Sequence, residues 1–378
     1  MTKREVTMAF IAACMGMAFF GVTMVALGSV LPDLSLRLGL ADAQKASLAM
    51  VLTLGIFAGS IVFGPVCDRF GHRGIFLASC VLVLVGILGI ATAESYSTLI
   101  AAYLCIGTGG GVLNGQTNTL ASDLYDESRR GARLSLLGAF YGVGGIGITF
   151  LMAAFGQMVG YQVILYGIAA VLVVCLAFCF TITFPKPKQA QSFPIKDAVK
   201  MLADPVLIIF SLVLMLESSV ESITNNLSTT YFSHFDNVVF LLTVNMIGIT
   251  LARFVMAWMA SKMSQQTLLY TFLTLLLAGF VILSMASTFA IAVVAMAIIG
   301  MGTAATYPVV LGQLGNRYTS LSGTAFGMAI TIALAGNTVM NMLVGGWLMG
   351  IYPYMMMLFT ALMISLFTVG RKLAKKKD

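Results

Sequence analysis

Twelve long apolar segments, separated by short polar links, constrain this 378-residue chain more than any other feature of its sequence. A helix needs about 20 predominantly apolar residues to cross the hydrocarbon core of a bilayer. The segments cover residues 7–32, 44–66, 74–93, 98–122, 132–158, 161–184, 204–232, 237–261, 267–286, 289–313, 320–347 and 351–370. We therefore predict an all-α integral membrane protein with twelve transmembrane helices.

Charged residues are too scarce for a chain that folds in water. They make up 9% of the sequence, against about 25% in soluble domains, and the mean hydropathy is +0.99. This composition excludes a soluble domain, a disordered chain, a secreted disulfide scaffold and a nucleic-acid-binding protein. The first apolar segment follows Lys3 and Arg4 but is longer than the apolar region of a signal peptide, so we expect it to be retained.

The positions of the basic residues indicate how the helices are oriented. With the N-terminus in the cytoplasm, 18 of the 21 Lys and Arg residues fall in cytoplasmic links or tails, as the positive-inside rule requires. The exceptions are Arg37 and Lys45 on the outer side and Arg253 within a span. We predict a multi-pass protein of a bacterial-type inner (plasma) membrane, with both termini in the cytoplasm.

A charged, proline-bearing link divides the spans into two sets of six. The sequence predicts an N-terminal half over residues 1–184, a cytoplasmic linker over 185–203 and a C-terminal half over 204–378. Displacing the chain by 193 residues aligns four pairs of glycines in matching spans: Gly55 with Gly248, Gly86 with Gly279, Gly107 with Gly300 and Gly109 with Gly302. Parallel six-helix repeats are the plan of one large class of secondary transporters, with the substrate site near the midplane at the repeat interface.

The link between the second and third spans carries a recognisable motif. It reads Gly64-Pro-Val-Cys-Asp68-Arg69-Phe-Gly71-His-Arg73 and resembles the signature loop of the major facilitator superfamily. The resemblance implies the major facilitator fold, a cap by Asp68 on a helix end of the other half, and contacts from the basic residues to an acid below span 4, here Asp123. Such contacts would gate one side of the protein and break as rigid halves rock about the site. The alternative is a basic loop that only orients the chain.

Stretches of four spans are similar to a narrower group, the fucose–hexose–proton symporter branch and its sodium-dependent glucose-transporter relatives. They are the runs Gly107 to Asn118 and Phe140 to Gly144, Glu221 with Leu227 to Tyr231, and Gly248 with Arg253. The resemblance implies symport of a sugar-like solute. The chain departs from the branch at Asn114, where members with a proton-carrying Glu have that residue, and near Gly28, where no carboxylate stands.

Three ionisable residues lie deep within predicted spans, where charge is costly enough to indicate function. Glu217 lies roughly 18–20 Å from the cytoplasmic start of span 7, at about 1.5 Å per residue, and Glu221 follows one turn later on the same face. Two carboxyl groups this close resist simultaneous ionisation, so we expect one of them to hold a proton. We predict that Glu221 is the ion-coupling site and that Glu217 pairs with Arg253 of span 8. The alternative is a structural Glu–Arg pair without a role in transport.

Polar side chains within the spans are the candidates for binding solute. Asn114 and Asn118 lie one turn apart on span 4, and an amide offers both a donor and an acceptor to a hydroxyl group. The further candidates are Tyr141, which can stack on a sugar ring, and Asn225, Tyr307, Asn337 and Asn341. The alternative is structural, since polar side chains also link helices in membranes and aromatic rings pack against one another.

Together these features predict a secondary active transporter that moves a small polar solute, a sugar or related metabolite, by alternating access with proton or sodium symport. The sequence has no Walker-type phosphate loop, and we expect no ATP, cofactor or metal. It assembles no nucleophile, base and metal set, so we do not expect an enzyme. The expected partners are the solute, the coupling ion and the lipid bilayer, with the chain as a monomer. The alternatives are a proton-coupled efflux antiporter for drugs or metabolites and a membrane sensor that does not transport.

Overall fold

The computed structural model describes residues 1–125, 127–185, 201, 203–259, 263–318 and 322–377, and regular secondary structure within them is helical. The α-helices are α1 (Lys3–Leu38), α2 (Asp42–Phe70), α3 (His72–Thr92), α4 (Tyr96–Leu124), α5 (Glu127–Val159), α6 (Tyr161–Thr181), α7 (Pro205–Tyr231), α8 (Val239–Met259), α9 (Gln265–Ser284), α10 (Phe289–Thr303), α11 (Thr306–Arg317), α12 (Ser322–Leu343) and α13 (Tyr352–Lys377).

These helices account for the predicted spans. The helices α10 and α11 share one apolar stretch, Phe289–Leu314, whereas the 48-residue stretch Gly327–Ala374 contains both α12 and α13. A π-helical turn at Val344–Leu348 and a 3-10 turn at Met349–Ile351 separate α12 from α13. The described ranges therefore contain eleven long apolar helical stretches, and twelve spans when the last stretch is divided at these turns. The prediction of an all-α membrane protein with twelve spans is therefore confirmed.

The motif between the second and third spans is mostly helical. We expected a link over residues 67–73, but α2 continues to Phe70 and α3 begins at His72. The chain turns at Gly71, whose φ of 78° lies in the left-handed region that glycine adopts without steric cost. The Gly71 amide donates to the Cys67 carbonyl at 2.8 Å. One glycine therefore joins the two helices.

Contacts divide the chain into two compact units. Unit 1 contains Met1–Ala190 and Asn225–Thr243, and unit 2 contains Gln191–Thr224 and Val244–Asp378. The last turns of α7 and the start of α8 thus group with α1–α6, although the sequence places them after the central linker. Of that predicted linker, residues 186–200 and 202 lie outside the described residues.

Each unit is built from helices that pack along their lengths. In unit 1, α4 packs against α2 and α3, and α1 packs against α5. In unit 2, α9 packs against α10 and α13. Large apolar side chains such as Val174, Phe180 and Leu251 are exposed on the helix surfaces. Exposed apolar side chains of this kind suit contact with lipid tails, because they would be unfavourable in water.

Candidate functional site

The ionisable residues of the spans meet within unit 2. Glu217 is 1% exposed, and its carboxyl group is hydrogen-bonded to that of Glu221, one turn further along α7. Arg253 of α8 lies close enough for its charge to act on the Glu217 carboxyl. A hydrogen bond between two carboxyl groups requires a proton on one of them. While this bond is formed, the two carboxyl groups therefore share one proton.

Tyr307 of α11 completes this group. It is hydrogen-bonded to Ser218 of α7 and lies within electrostatic reach of both Glu217 and Glu221. We call Glu217, Glu221, Arg253 and Tyr307 the acid cluster. The cluster joins α7, α8 and α11 at a depth where ionisable groups are costly and usually functional. Among the described residues, no group of three or more His, Cys, Asp and Glu side chains is placed to hold a metal ion.

One of the two asparagines of α12 contacts α7. Asn341 Nδ2 donates to Ser222 Oγ at 3.0 Å and to Asn337 Oδ1 at 2.6 Å. Both asparagines are at most 2% exposed. Nearby along the chain, the hydroxyl groups of Thr224 in α7 and Tyr352 in α13 lie 3.0 Å apart. In this structure Asn341 joins α12 to α7 and also donates to Asn337, so the hydrogen bonds that its amide could donate to a solute are made within the protein.

Asn114 and Asn118 are the more accessible pair of predicted solute ligands, on α4 of unit 1. Asn114 is partly buried and Asn118 is exposed. Asn118 Nδ2 donates to the Asn114 backbone carbonyl at 2.8 Å and lies 3.3 Å from Asn114 Oδ1. Within the described part of the chain, this leaves Asn118 Oδ1 and Asn114 Nδ2 as an acceptor and a donor for a ligand.

Tyr141 and Asn225 contact each other within unit 1. The side chain of Tyr141 is 3% exposed, and Asn225 Nδ2 donates to its hydroxyl at 3.5 Å. The Tyr141 ring lies 5.6 Å from that of Phe20 in α1. Tyr141 is therefore packed between an aromatic ring and an amide, with no exposed ring face for a solute to stack on in this structure.

The predicted gating residues are described only in part. Gly64, Asp68 and Arg69 lie in the last turns of α2, but their side chains fall outside the described residues. Arg73, at the start of α3, donates from Nη2 to the backbone carbonyl of Phe180 in α6 at 3.0 Å. Arg73 thus ties α3 to the end of α6 within unit 1.

Asp123, at the end of α4, faces a histidine that the sequence alone did not single out. His72 Nε2 lies 3.4 Å from Asp123 Oδ2, and His72 Nδ1 lies 3.4 Å from Cys67 Sγ. Gln116 Nε2 donates to the His72 carbonyl, and His72 is 5% exposed. The sequence signal that could have identified His72 was its position directly after Gly71 in the basic motif. The acid below span 4 therefore faces a buried imidazole in this structure.

The chain is similar to known transporters in sequence and in structure. A D-xylose transporter from Levilactobacillus brevis is 30% identical over 127 residues, which are 34% of this chain and only 28% of that relative. The crystal structure of a D-xylose–proton symporter has a TM-score of 0.75 at 13% identity, covering 95% of this chain and 97% of that one. The crystal structure of the fucose–proton symporter of E. coli has a TM-score of 0.71 at 15% identity, covering 98% and 99%.

The structural likenesses establish a shared fold, and the family follows from the sequence. The model of the Major Facilitator Superfamily matches residues 8–327, from the first helix into α12. The matched range includes the motif from Gly64 to Arg73 and the whole acid cluster. With twelve spans and a matching sequence over most of its length, the chain belongs to the Major Facilitator Superfamily.

Proposed function

We propose that this protein is a secondary active transporter that moves a small, neutral, hydroxyl-bearing solute of the sugar type by alternating access, in symport with protons. The observation that carries the proposal is the hydrogen-bonded pair Glu217 and Glu221 beside Arg253, within membrane spans. The proton symporters for D-xylose and fucose that share its fold support this choice of solute and ion. The partial sequence match to a D-xylose transporter supports it too.

Proton coupling follows from the charges of the acid cluster. Arg253 balances one carboxylate, so the cluster is neutral when Glu217 and Glu221 share one proton and carries one net negative charge when that proton leaves. A net charge inside a membrane protein is costly. Protonation therefore changes which conformation is favoured, and this difference links proton movement to alternating access.

Solute binding in this proposal uses the amides of α4. Asn114 and Asn118 offer hydrogen-bond donors and acceptors without a formal charge, which suits hydroxyl groups of a neutral solute. Because Asn114 stands where related symporters carry an acid, α4 of this chain lacks a titratable group of its own at that position. The proton is then carried by the acid cluster, and solute and ion contact different helices.

The proposal also covers the oligomeric state, the membrane, the orientation and the gate of the protein. We place the chain as a monomer in a bacterial-type inner membrane, with both termini in the cytoplasm and with residues 1–184 and 204–378 as its two functional halves. Gly64, Asp68, Arg69, Gly71, Arg73 and Asp123 then act on the cytoplasmic side as the gate, and His72 is the described partner of Asp123. We assign the protein no enzymatic activity.

Uptake into proteoliposomes tests the solute and the ion together. The purified protein is reconstituted and supplied in turn with labelled D-xylose, L-fucose, D-glucose and a nucleoside, under a proton gradient or a sodium gradient imposed separately. We expect a proton gradient, acid outside, to drive accumulation of at least one of the sugars. Accumulation under a sodium gradient alone would show that the coupling ion is sodium and not the proton. Absence of sugar movement under every gradient would refute the proposal.

Replacing the coupling acid gives the first specific prediction. Glu221→Gln keeps the shape of the side chain but removes the titrating group, so it should reduce uptake to passive equilibration and abolish its pH dependence. Exchange of labelled for unlabelled sugar should persist, because exchange needs no net proton movement. Glu94→Gln is the matched control, since Glu94 is exposed in the link between α3 and α4. Unchanged, pH-dependent accumulation by Glu221→Gln would remove Glu221 from the coupling mechanism.

A further inference from the structure

Three side chains of unit 1 form a line from a thiol to a carboxylate. His72, the first residue of α3, lies between Cys67 of α2 and Asp123 of α4. Its Nδ1 lies 3.4 Å from Cys67 Sγ, and its Nε2 lies 3.4 Å from Asp123 Oδ2. We call Cys67, His72 and Asp123 the thiol relay.

The thiol and the carboxylate contact opposite nitrogens of the imidazole ring. They therefore do not converge on one point, which agrees with the finding that no described group of His, Cys, Asp and Glu is placed to hold a metal ion. The tautomer with its hydrogen on Nε2 suits both contacts, because Nε2 then donates to Asp123 while Nδ1 accepts from the Cys67 thiol. This is the order of nucleophile, base and orienting acid that activates a thiol for reaction.

The backbone around His72 is held from both α2 and α4. The chain turns at Gly71, whose amide donates to the Cys67 carbonyl at 2.8 Å, and this turn brings His72 back beside Cys67. Gln116 of α4 donates from Nε2 to the His72 carbonyl. Gln116 is 0% exposed, and its Oε1 has no hydrogen-bond partner in the described part of the chain. A buried acceptor beside the thiol relay is therefore available to a hydroxyl group.

The surroundings of Cys67 leave His72 as its proton acceptor. Cys67 and His72 are each 5% exposed, and Cys67 also packs with the apolar side chains of Ile75 and Val112. A buried thiolate is costly unless a cation lies beside it. An imidazolium between Cys67 and Asp123 is such a cation, and the Asp123 carboxylate balances its charge.

The thiol relay lies close to the protein surface although it is buried. Cys67 is three residues from the end of α2 at Phe70, and Arg73, which follows His72, is exposed. A small neutral oxidant such as hydrogen peroxide, which is little larger than water, suits a thiol in this position better than a bulky reagent does.

We propose that Cys67 is a modification site for peroxide, oxidised to a sulfenic acid with His72 as the base and Asp123 as a positioning residue. The Cys67 thiol passes its proton to His72 Nδ1, and the thiolate sulfur attacks one oxygen of hydrogen peroxide. The O–O bond breaks as the S–O bond forms, and the departing hydroxide takes the proton from His72 and leaves as water. Sulfur is oxidised and peroxide is reduced, so a thiol and hydrogen peroxide give a sulfenic acid and water.

The product fits the same group of residues. The hydroxyl of the sulfenic acid is a new donor, and Gln116 Oε1 is the buried acceptor that receives it. This chemistry involves neither the transported solute nor the coupling ion, so it stands or falls independently of the proposed function.

Trapping of the sulfenic acid in the purified wild-type protein tests the site. The protein is exposed to hydrogen peroxide with dimedone, which captures sulfenic acids, and the adduct at each cysteine is measured over time by mass spectrometry. Cys14 and Cys179 are internal controls, because they are 4% and 1% exposed and no described hydrogen bond joins either to a histidine. Cys67 should react about tenfold faster than both, since an ordinary thiol is only slightly ionised at neutral pH. Equal rates at the three cysteines would overturn the site.

Variants of the thiol relay test the role of each partner. His72→Gln cannot accept the proton and should slow trapping at Cys67 about tenfold. Asp123→Asn should also slow it, and Asp123→Glu should restore it. The rates at Cys14 and Cys179 should not change, whereas a variant that loosens the fold would speed trapping at all three cysteines. Undiminished trapping at Cys67 in His72→Gln would overturn the assignment of the base.

Discussion

Asp204 lies just before α7 and fixes how that helix begins. Its Oδ2 accepts from Arg317 Nη2 at 3.1 Å and from the Tyr318 hydroxyl at 2.6 Å, while its Oδ1 accepts from the Val206 amide at 3.1 Å. Burial alone would raise the pKa of Asp204, but the hydrogen bonds from Tyr318, Val206 and Arg317 outweigh burial and hold this pKa below its ordinary value. Burial and the bond to Asp204 raise the pKa of Tyr318 to about 12. The fold therefore favours the ionised form of Asp204.

Asp204→Asn should destabilise the protein, because it leaves Arg317 largely buried beside a neutral amide. Hydrogen bonds to charged groups contribute about 1.5–3 kcal/mol, and we expect a loss near the lower end, since the Arg317 side chain is 18% exposed. The control is Asp42→Asn, whose carboxyl is 85% exposed and pairs with Lys45 at the start of α2. Exposed pairs contribute at most about 1 kcal/mol. Thermal unfolding of the purified variants in detergent measures both.

The contribution of Asp204 should also depend on pH in a defined direction. A carboxyl group whose pKa is lower in the folded state stabilises the fold above its unfolded pKa, near 3.8 here, and loses that effect as pH falls through the folded pKa. The difference in unfolding temperature between wild type and Asp204→Asn should have its full size above about pH 5 and should decrease below about pH 4. A difference that stays constant down to pH 3 would contradict this assignment.

At the residue scale, the sequence predicts contacts within one helix better than contacts between helices. Glu217 and Glu221 are four residues apart, so helix geometry alone brings their carboxyl groups together, and the structure has them hydrogen-bonded. Asn341 instead contacts Ser222, 119 positions away on another helix. Such a pair depends on which helix faces pack together, and the spacing of residues carries no information about that.

At the scale of elements, the aligned glycines are contact points between helices in both units. A Cβ on Gly107 of α4 would lie 2.5 Å from the Leu52 carbonyl and 3.2 Å from the Gly55 Cα of α2. In unit 2, a Cβ on Gly300 of α10 would collide with the Asn245 carbonyl of α8. Leu52 and Asn245 are themselves 193 residues apart. The same close backbone contact therefore recurs at the displacement predicted from the sequence, which confirms the repeat in the packing.

Alanine at either position should force the paired helices apart. Overpacking of this kind costs about 1–3 kcal/mol, so Gly107→Ala and Gly300→Ala should both lower the unfolding temperature. Gly147→Ala in α5 is the control, because a Cβ there meets nothing within 4 Å and alanine favours a helix over glycine by up to about 1 kcal/mol. If both contact variants unfold at the wild-type temperature, these glycines do not set the helix spacing.

Apolar length predicts that a span exists but not where its helix bends or ends. The run 289–313 reads as one uninterrupted span, yet the structure divides it at Ala304 and Ala305. The cause, Pro308, is visible in the sequence, but a proline in a span also occurs in continuous, kinked helices. The helix α1 extends from Lys3 to Leu38, beyond the expected 7–32, because helices continue past the hydrocarbon core where side chains become polar.

At the scale of the whole molecule, the bilayer makes the architecture predictable. Without water to bond backbone groups, an apolar run of about 20 residues satisfies its own backbone as a helix, so the all-α fold and the number of spans follow from composition and length. The grouping of Asn225–Thr243 with unit 1 does not follow in this way. It arises from specific contacts, such as the hydrogen bond from the Asn225 amide to the Tyr141 hydroxyl. The lengths and positions of the apolar segments do not predict such contacts.

The asymmetry of basic residues predicts the orientation of the molecule. Basic links are retained on the cytoplasmic side during insertion, so a green fluorescent protein fused after Asp378 should fluoresce, since it matures in the cytoplasm. Alkaline phosphatase inserted after Glu94, in the link between α3 and α4, should be active, because this enzyme requires the oxidising outer side. The same enzyme inserted at Gly71, in the turn between α2 and α3, should be inactive. Activity of the enzyme at Gly71 with none at Glu94 would show that the protein has the opposite orientation. The contact between Asp123 and His72 would then lie on the outer side, contrary to a cytoplasmic gate.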